Sequence, residues 1–129
     1  MPAQSLTPTV VTAWLARYKD AWERRDPDRA AALFTESAAY HELPFAEPKP
    51  GRAGIRAYWA SVTEDQRNVA FESRVVAVEG RTAVARWSAS LSSASSGSRV
   101  ELDGVFILVF ERDDLCSELR EWWHVRTSP

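Results

Sequence analysis

Two glutamates in this chain stand where a carboxyl could do proton chemistry. Glu42 lies in the stretch AAYHEL (Ala38 to Leu43), where strand alternation puts Tyr40 and Glu42 on one face and His41 on the other. Glu121 lies within LREWWHVR (Leu119 to Arg126), and alternation groups it with Leu119, Trp123 and Val125, the more apolar face. A lone carboxylate buried among such neighbours costs several kcal/mol by the usual scale, so it needs a partner or a raised pKa. Arg86 is the candidate partner. The local pattern offers the opposite placement, because Ala83, Ala85, Trp87, Ala89 and Leu91 form the apolar face of that strand and leave Arg86 on the other. A carboxyl that gives or takes a proton, beside a tyrosine that donates to developing negative charge, is the equipment of general acid–base catalysis.

Other chemistries lack their residues. The two histidines, His41 and His124, fall on outward faces with no Cys/His cluster, so no metal site is expected. Cys116, the single cysteine, has no basic neighbour and shares parity with the outward face; it excludes an internal disulfide and fits a reducing compartment. No glycine-rich phosphate loop or nucleophile elbow occurs, and no cofactor is implied. Net charge is −2 with no basic cluster longer than Arg24-Arg25, which argues against nucleic acid as a partner. The longest apolar run, VFILVF (Val105 to Phe110), is too short to span a bilayer, and the N-terminus does not read as a signal peptide. A cytoplasmic location is expected, with no membrane partner.

The elements that must hold these groups follow from periodicity. At 129 residues, the chain is long enough for one domain with a core, over 1–129, and residues 1–7 are expected to be a flexible lead. From Thr7-Pro8, the positions Val11, Trp14, Leu15, Tyr18 and Trp22 repeat at helical spacing. Asp26-Pro27 then caps a short second helix through DRAAALF, and a third begins near Arg52 with Ile55, Tyr58, Trp59 and Val62 as its stripe. From about Val69 the period is two, with strands expected at 69–79, 81–92, 99–112 and 116–126, joined by turn-like connections. Helices followed by consecutive antiparallel strands make an α+β fold.

VFILVF is apolar on both faces, Trp122 backs Trp123, and Trp87 faces away from Arg86 and Ser88. A sheet apolar on both faces needs two covers. The helices supply one, and a second copy of the chain, a homodimer through the outer sheet face that also covers Trp87, is the expected other.

The run RYKDAWERRDPDRAAALFTESAAYHELPFAEPKPGRAGIRAYW (Arg17 to Trp59), with the ending GVFILVF…LREWWH, resembles the SnoaL-like branch of the nuclear transport factor two superfamily. That resemblance covers nearly the whole chain. It implies a cone-shaped α+β barrel, three helices packed in the concave face of a curved, mostly antiparallel sheet around an internal pocket. Two relatives carry residues over. Against ketosteroid isomerase, Tyr18 falls on the oxyanion-hole tyrosine and Glu42 on the general-base aspartate, while the second oxyanion donor falls on Phe106. Against limonene epoxide hydrolase, Tyr40, Arg86 and Glu121 match the tyrosine, the arginine and one aspartate, while the other aspartate falls on Ser88 and the asparagine on Glu42. The implied polar set is Glu42, Glu121, Arg86, Tyr40 and Tyr18, with a ligand lined by Trp14, Trp59, Ser88, Leu102, Phe106, Leu119 and Trp123. The expected ligand is a hydrophobic small molecule of polyketide, steroid or terpenoid size. The expected chemistry is cofactor-free isomerisation, cyclisation, dehydration or hydrolysis, with a non-catalytic ligand-binding or dimerisation module as the alternative.

Overall fold

A computed structural model describes residues 6–129. Its first helix, α1 (Pro8–Glu23), starts where Thr7, in extended conformation, accepts a hydrogen bond from the Val10 amide at 3.2 Å and Pro8 takes the first helical position. Leu6 is not part of a free lead. It is buried, and its amide bonds to the Gly80 carbonyl at 2.9 Å; the remainder of the expected lead lies outside the described residues. Arg25 turns the chain with φ 52°, and Asp26 caps α2 (Pro27–Ala31) by accepting from the Asp28 and Arg29 amides, each at 3.1 Å.

This second helix is shorter than DRAAALF suggests. Phe34 opens a strand instead, β1 (Phe34–His41), which begins four residues before the expected Ala38 and ends just before Glu42. The apolar pair Leu33-Phe34 satisfies a helix face and a strand start equally well, and the parallel pairing of Phe34 with Cys116 of the last strand decides for the strand. The two-residue β2 (Lys49–Pro50) then bonds antiparallel to β1, and α3 (Gly51–Val62) follows. Gly51 has φ +64°, and a Cβ there would stand 2.7 Å from the Glu36 carbonyl oxygen, so only glycine lets α3 leave β1 this closely.

The remaining strands are β3 (Gln66–Glu79), β4 (Thr82–Ser93), β5 (Arg99–Arg112) and β6 (Leu115–Ser128). They form an antiparallel meander, and β1 joins β6 in parallel, giving the order β2-β1-β6-β5-β4-β3. The sheet is curved, mostly antiparallel and not closed on itself, and the helices fill its concave face. This is the expected cone-shaped α+β architecture. Along β4 the inward residues are Ala83, Ala85, Trp87, Ala89 and Leu91, all buried. Trp87 therefore belongs to the core rather than to the outer face, stacked on Phe106 at 5.2 Å and on Phe71 at 6.0 Å between ring centroids. Cys116 is also inward, because a register shift between β5 and β6 after Val109 breaks strict alternation there.

Candidate functional site

The mouth of the cone holds a cavity of about 310 Å³ between the helices and the sheet. Each wall is one element's inward face. Tyr18 and Trp22 come from α1, Tyr40 from β1 with Glu42 just beyond its end, and Tyr58 and Trp59 from α3. Opposite them stand Trp87 from β4, Leu102 from β5, and Glu121 and Trp123 from β6.

Glu121 is 7% exposed, and among the described residues no cation forms an ion pair with it. The Tyr40 hydroxyl donates to Glu121 Oε2 at 2.8 Å, and the Tyr18 hydroxyl lies 3.2 Å from that of Tyr40, so a hydrogen-bonded chain runs from α1 through β1 to β6. Burial pushes the Glu121 carboxyl up to about 8; the hydrogen bond from Tyr40 opposes this and the nearby Glu42 charge adds to it. Burial, and then the proximity of Glu121, raise the hydroxyls of Tyr18, Tyr40 and Tyr58 well above the ordinary tyrosine range, so all three remain proton donors.

Glu42 has a different setting. Lys49 of β2 places its Nζ 3.7 Å from Glu42 Oε2 and 5.3 Å from the centroid of the Tyr58 ring. The pairing of Tyr40 with Lys49 across β1 and β2 is what brings this lysine to the rim. One cavity thus holds a carboxyl that favours its proton and a second one beside a cation.

Of the residues expected at the site, Tyr18, Tyr40, Glu42, Trp59, Leu102, Glu121 and Trp123 line this cavity. Arg86 does not. Its neighbours Ala85 and Trp87 point inward, so its side chain points outward, half-exposed, and bonds Asp103 through Nη2 at 2.8 and 3.1 Å. Ser88 shares that outward parity and is exposed. Trp14, Phe106 and Leu119 are buried deeper, in the core beneath the cavity; Trp14 is fixed there by its Nε1 bond to the Leu33 carbonyl at 2.9 Å. Strand alternation outweighs the family alignment at Arg86 and Ser88, and Glu121 answers its burial by holding a proton rather than by pairing with a guanidinium.

Trp22, Tyr58, Lys49 and Trp87 are among the site residues that sequence reasoning left out. Tyr58 was visible as part of the α3 stripe, and Trp87 as part of the apolar face of its strand. Lys49 carried no local signal, since only the β1–β2 pairing brings it to Glu42. Among the described residues, no three His, Cys, Asp or Glu side chains converge as a metal site requires, and no helix is long and apolar enough to cross a membrane.

A family model described as a SnoaL-like domain matches residues 15–119. Solved structures share the fold at low identity. The epoxide hydrolase/cyclase-like enzyme SalBIII, with a role in pyran ring formation in polyether salinomycin, is 19% identical with a TM-score of 0.77, over 91% of this chain and 95% of that one. A putative isomerase from Bacillus subtilis is 16% identical with a TM-score of 0.79, over 90% and 87% of the two chains. A computationally designed 17-OHP binder is 15% identical with a TM-score of 0.78, over 98% and 99%. Comparison with curated protein sequences gives no match.

Proposed function

The chain belongs to the SnoaL-like domain family, and on that premise we propose that Glu42 and Glu121 act as a base and an acid on one neutral, largely apolar small molecule held in the cavity. The observation that carries this is the contrast between the two carboxyls. Glu121, raised to about 8 by burial, brings a proton at neutral pH, while Glu42 is ion-paired to Lys49 across the same space. A carboxyl that holds its proton and a second one paired with a cation divide naturally into acid and base roles. Tyr18 donates to Tyr40 and Tyr40 to Glu121 Oε2, so the carboxyl proton sits on Oε1. In this scheme Glu42 removes a proton from carbon or from a hydroxyl, and Glu121 delivers one to the oxygen that gains charge or departs. Isomerisation, cyclisation, dehydration and water addition all share that pattern. A cavity of about 310 Å³ suits a polyketide, terpenoid or compact steroid skeleton.

The test is incubation in D₂O with β,γ-unsaturated ketones, β-hydroxy ketones and epoxy alcohols, followed by mass spectrometry. Carbon-bound deuterium or a mass change of one water is expected for at least one class. Glu42→Gln should lower the rate by about 10² or more, and Glu121→Gln should remove the fall in rate expected as pH rises through about 8. No turnover of any class, or equal turnover in both variants, would leave the alternative, a non-catalytic binder. That alternative draws support from the 17-OHP binder built on the same fold.

The outer face of the sheet supports a second copy of the chain as partner. Trp122 is 45% exposed, beside half-buried Val105, Ile107 and Val109. Their lateral neighbours include the Arg126–Glu101 ion pair. An isologous contact would bury this patch against itself.

A further inference from the structure

The cavity has two polar ends. One holds Glu121, Glu42 and the tyrosines; the other lies where the turn from α3 into β3 meets the β4–β5 hairpin, and there Asp65, Gln66 and Ser93 reach the wall. The sheet register keeps the two apart. Gln66 pairs with Ser93, the last residue of β4, whereas the row through Glu121 and Phe106 crosses β4 at Ala85, near its start. Between the ends run the rings of Trp22, Trp59 and Tyr40, which follow one another at 5.4 and 6.4 Å between centroids. The acid–base scheme makes no use of the second end.

Two of its three polar residues are committed to the fold. Asp65 accepts from the Ser93 hydroxyl at 2.6 Å and from the amide and hydroxyl of Ser95 at 2.8 and 2.9 Å, and its backbone carbonyl accepts from the Ala94 amide at 2.8 Å. These bonds tie the serine-rich hairpin to the α3–β3 turn and use the Ser93 hydroxyl proton. Gln66 is different. Its Oε1 accepts from the Trp22 indole at 2.7 Å, and because an indole N–H only donates, that bond fixes which way round the amide lies. Nε2 carries two N–H donors and has no hydrogen-bond partner among the described residues. The side chain is half-buried, yet this nitrogen, unlike the indole nitrogens of Trp59 and Trp87, is not sealed from the space around it. The fold thus presents an oriented, accessible, unspent donor at the end of the cavity away from Glu121.

We propose that Gln66 determines specificity, donating through Nε2 to a neutral acceptor oxygen, carbonyl or hydroxyl, carried by the ligand at the end opposite the reacting one. This rests on the cavity being the ligand site. Chemistry at Glu42 and Glu121 needs one oxygen function, and Gln66 adds the second, which narrows the substrate class to apolar bodies oxygenated at both ends. A carboxylate is disfavoured in that place, because Asp65 holds a like charge at the same end. An analogue lacking the second oxygen leaves the donor unpaired, and a site built to hydrogen-bond discriminates against it.

Two saturated probes of one skeleton test it: 4-cyclohexylcyclohexanone, with one ketone, and bicyclohexyl-4,4′-dione, with one at each end. The monoketone can turn to satisfy whichever end binds it better, so a preference for the dione requires an acceptor to be paired at both. With the full chain the dione is expected to bind about tenfold more tightly, about fivefold from one ordinary net hydrogen bond and about twofold from its two equivalent orientations. Gln66→Glu keeps an oxygen for the Trp22 indole but removes the donor, and should bring the preference to about twofold or below while the monoketone still binds. The chain has two glutamines, Gln4 and Gln66, so selective ¹⁵N-glutamine labelling isolates the Gln66 side-chain amide, identified by its proximity to the Trp22 indole proton. That resonance pair should move on adding the dione, which reads the contact in the unaltered protein even if the variant fails to fold. A preference of twofold or less in the unaltered protein, an unmoved Gln66 amide, or a preference that survives Gln66→Glu would each overturn the proposal. If neither probe binds, the cavity is not the ligand site and the proposal falls with it. If both bind equally, the role of Gln66 alone fails, and the acid–base roles are read separately by turnover in Glu42→Gln and Glu121→Gln.

Discussion

Glu121 makes stability depend on pH in a direction opposite to that of a salt-bridged carboxylate. In the unfolded chain its carboxyl releases a proton near the ordinary 4.5, and in the folded chain only near 8. Between those values the folded state binds more protons than the unfolded one, so stability falls as pH rises, by up to about 1.4 kcal/mol per pH unit. Over the whole interval the loss is about 5 kcal/mol, complete just above pH 8 and absent below about pH 4.5. Asp65 and Glu101, whose carboxyls are held below their usual range by hydrogen bonds from Ser93 and Arg126, contribute in the opposite sense and only at more acid pH. The window is therefore dominated by Glu121. Glu121→Gln keeps the shape and an oxygen for Tyr40 to donate to, but removes the titration. Urea unfolding followed by tryptophan fluorescence, at intervals from pH 5 to pH 9, should show wild-type stability falling by several kcal/mol. A domain this size is typically stable by about 5–15 kcal/mol, so the fall is a large fraction of the total. The Gln variant should be nearly flat and more stable than wild type at pH 9. If it keeps the wild-type slope, the buried carboxyl is not the proton holder and the acid assignment fails.

Arg86→Met should cost less than about 1 kcal/mol in the same unfolding assay at pH 7, because the Arg86–Asp103 pair is half-exposed on both sides; a loss of several kcal/mol would mean the arginine does reach a buried charge. Gly104→Ala should destabilise by about 1–3 kcal/mol through collision of the new methyl with the stacked Trp87 ring, and near-ultraviolet circular dichroism should report the displaced indole; an unchanged spectrum would contradict that packing. Ile107→Asp with Trp122→Arg should convert a dimer to a monomer in sedimentation at micromolar concentration. An unaltered protein that already sediments as a monomer would refute the isologous pairing.

Much of the fold was legible in the chain. The α1 stripe, Asp26-Pro27 as the second helix start, and the long two-residue periods from Val69 onward all follow from local preferences that the tertiary structure does not oppose. Phe34 was misassigned because an apolar residue between a helix and a strand serves either, and only the pairing with β6 decides. At the site, Glu121 was found because a carboxyl between Leu119 and Trp123 is costly and must be explained. Arg86 and Ser88 were misplaced by giving family alignment priority over the strand's own alternation, whose inward set of small residues and Trp87 already specified the answer. Lys49 could not be found that way, since its nearness to Glu42 is created by a two-residue strand between prolines.

The sheet order carries a consequence for how the cavity comes into being. Residues from α1 to α3 form one continuous segment and β3 to β6 another, and the cavity is the joint between them. The meander of β3 to β6 closes through near neighbours in the chain, whereas β1 must find β6 in parallel across a long separation. The Tyr40–Glu121 bond spans 81 residues, and closing a flexible loop of that length costs about 4 kcal/mol in chain entropy beyond a constant. Proton holder and hydroxyl donor thus lie on opposite sides of the seam whose closure spans the longest of these loops. A partly folded chain exposes Glu121 to water, where its proton is released at ordinary pH, and the acid acquires its altered character only when the two segments dock. The rate at which the seam closes should therefore slow as pH rises toward 8 if the carboxyl is already buried in the transition state.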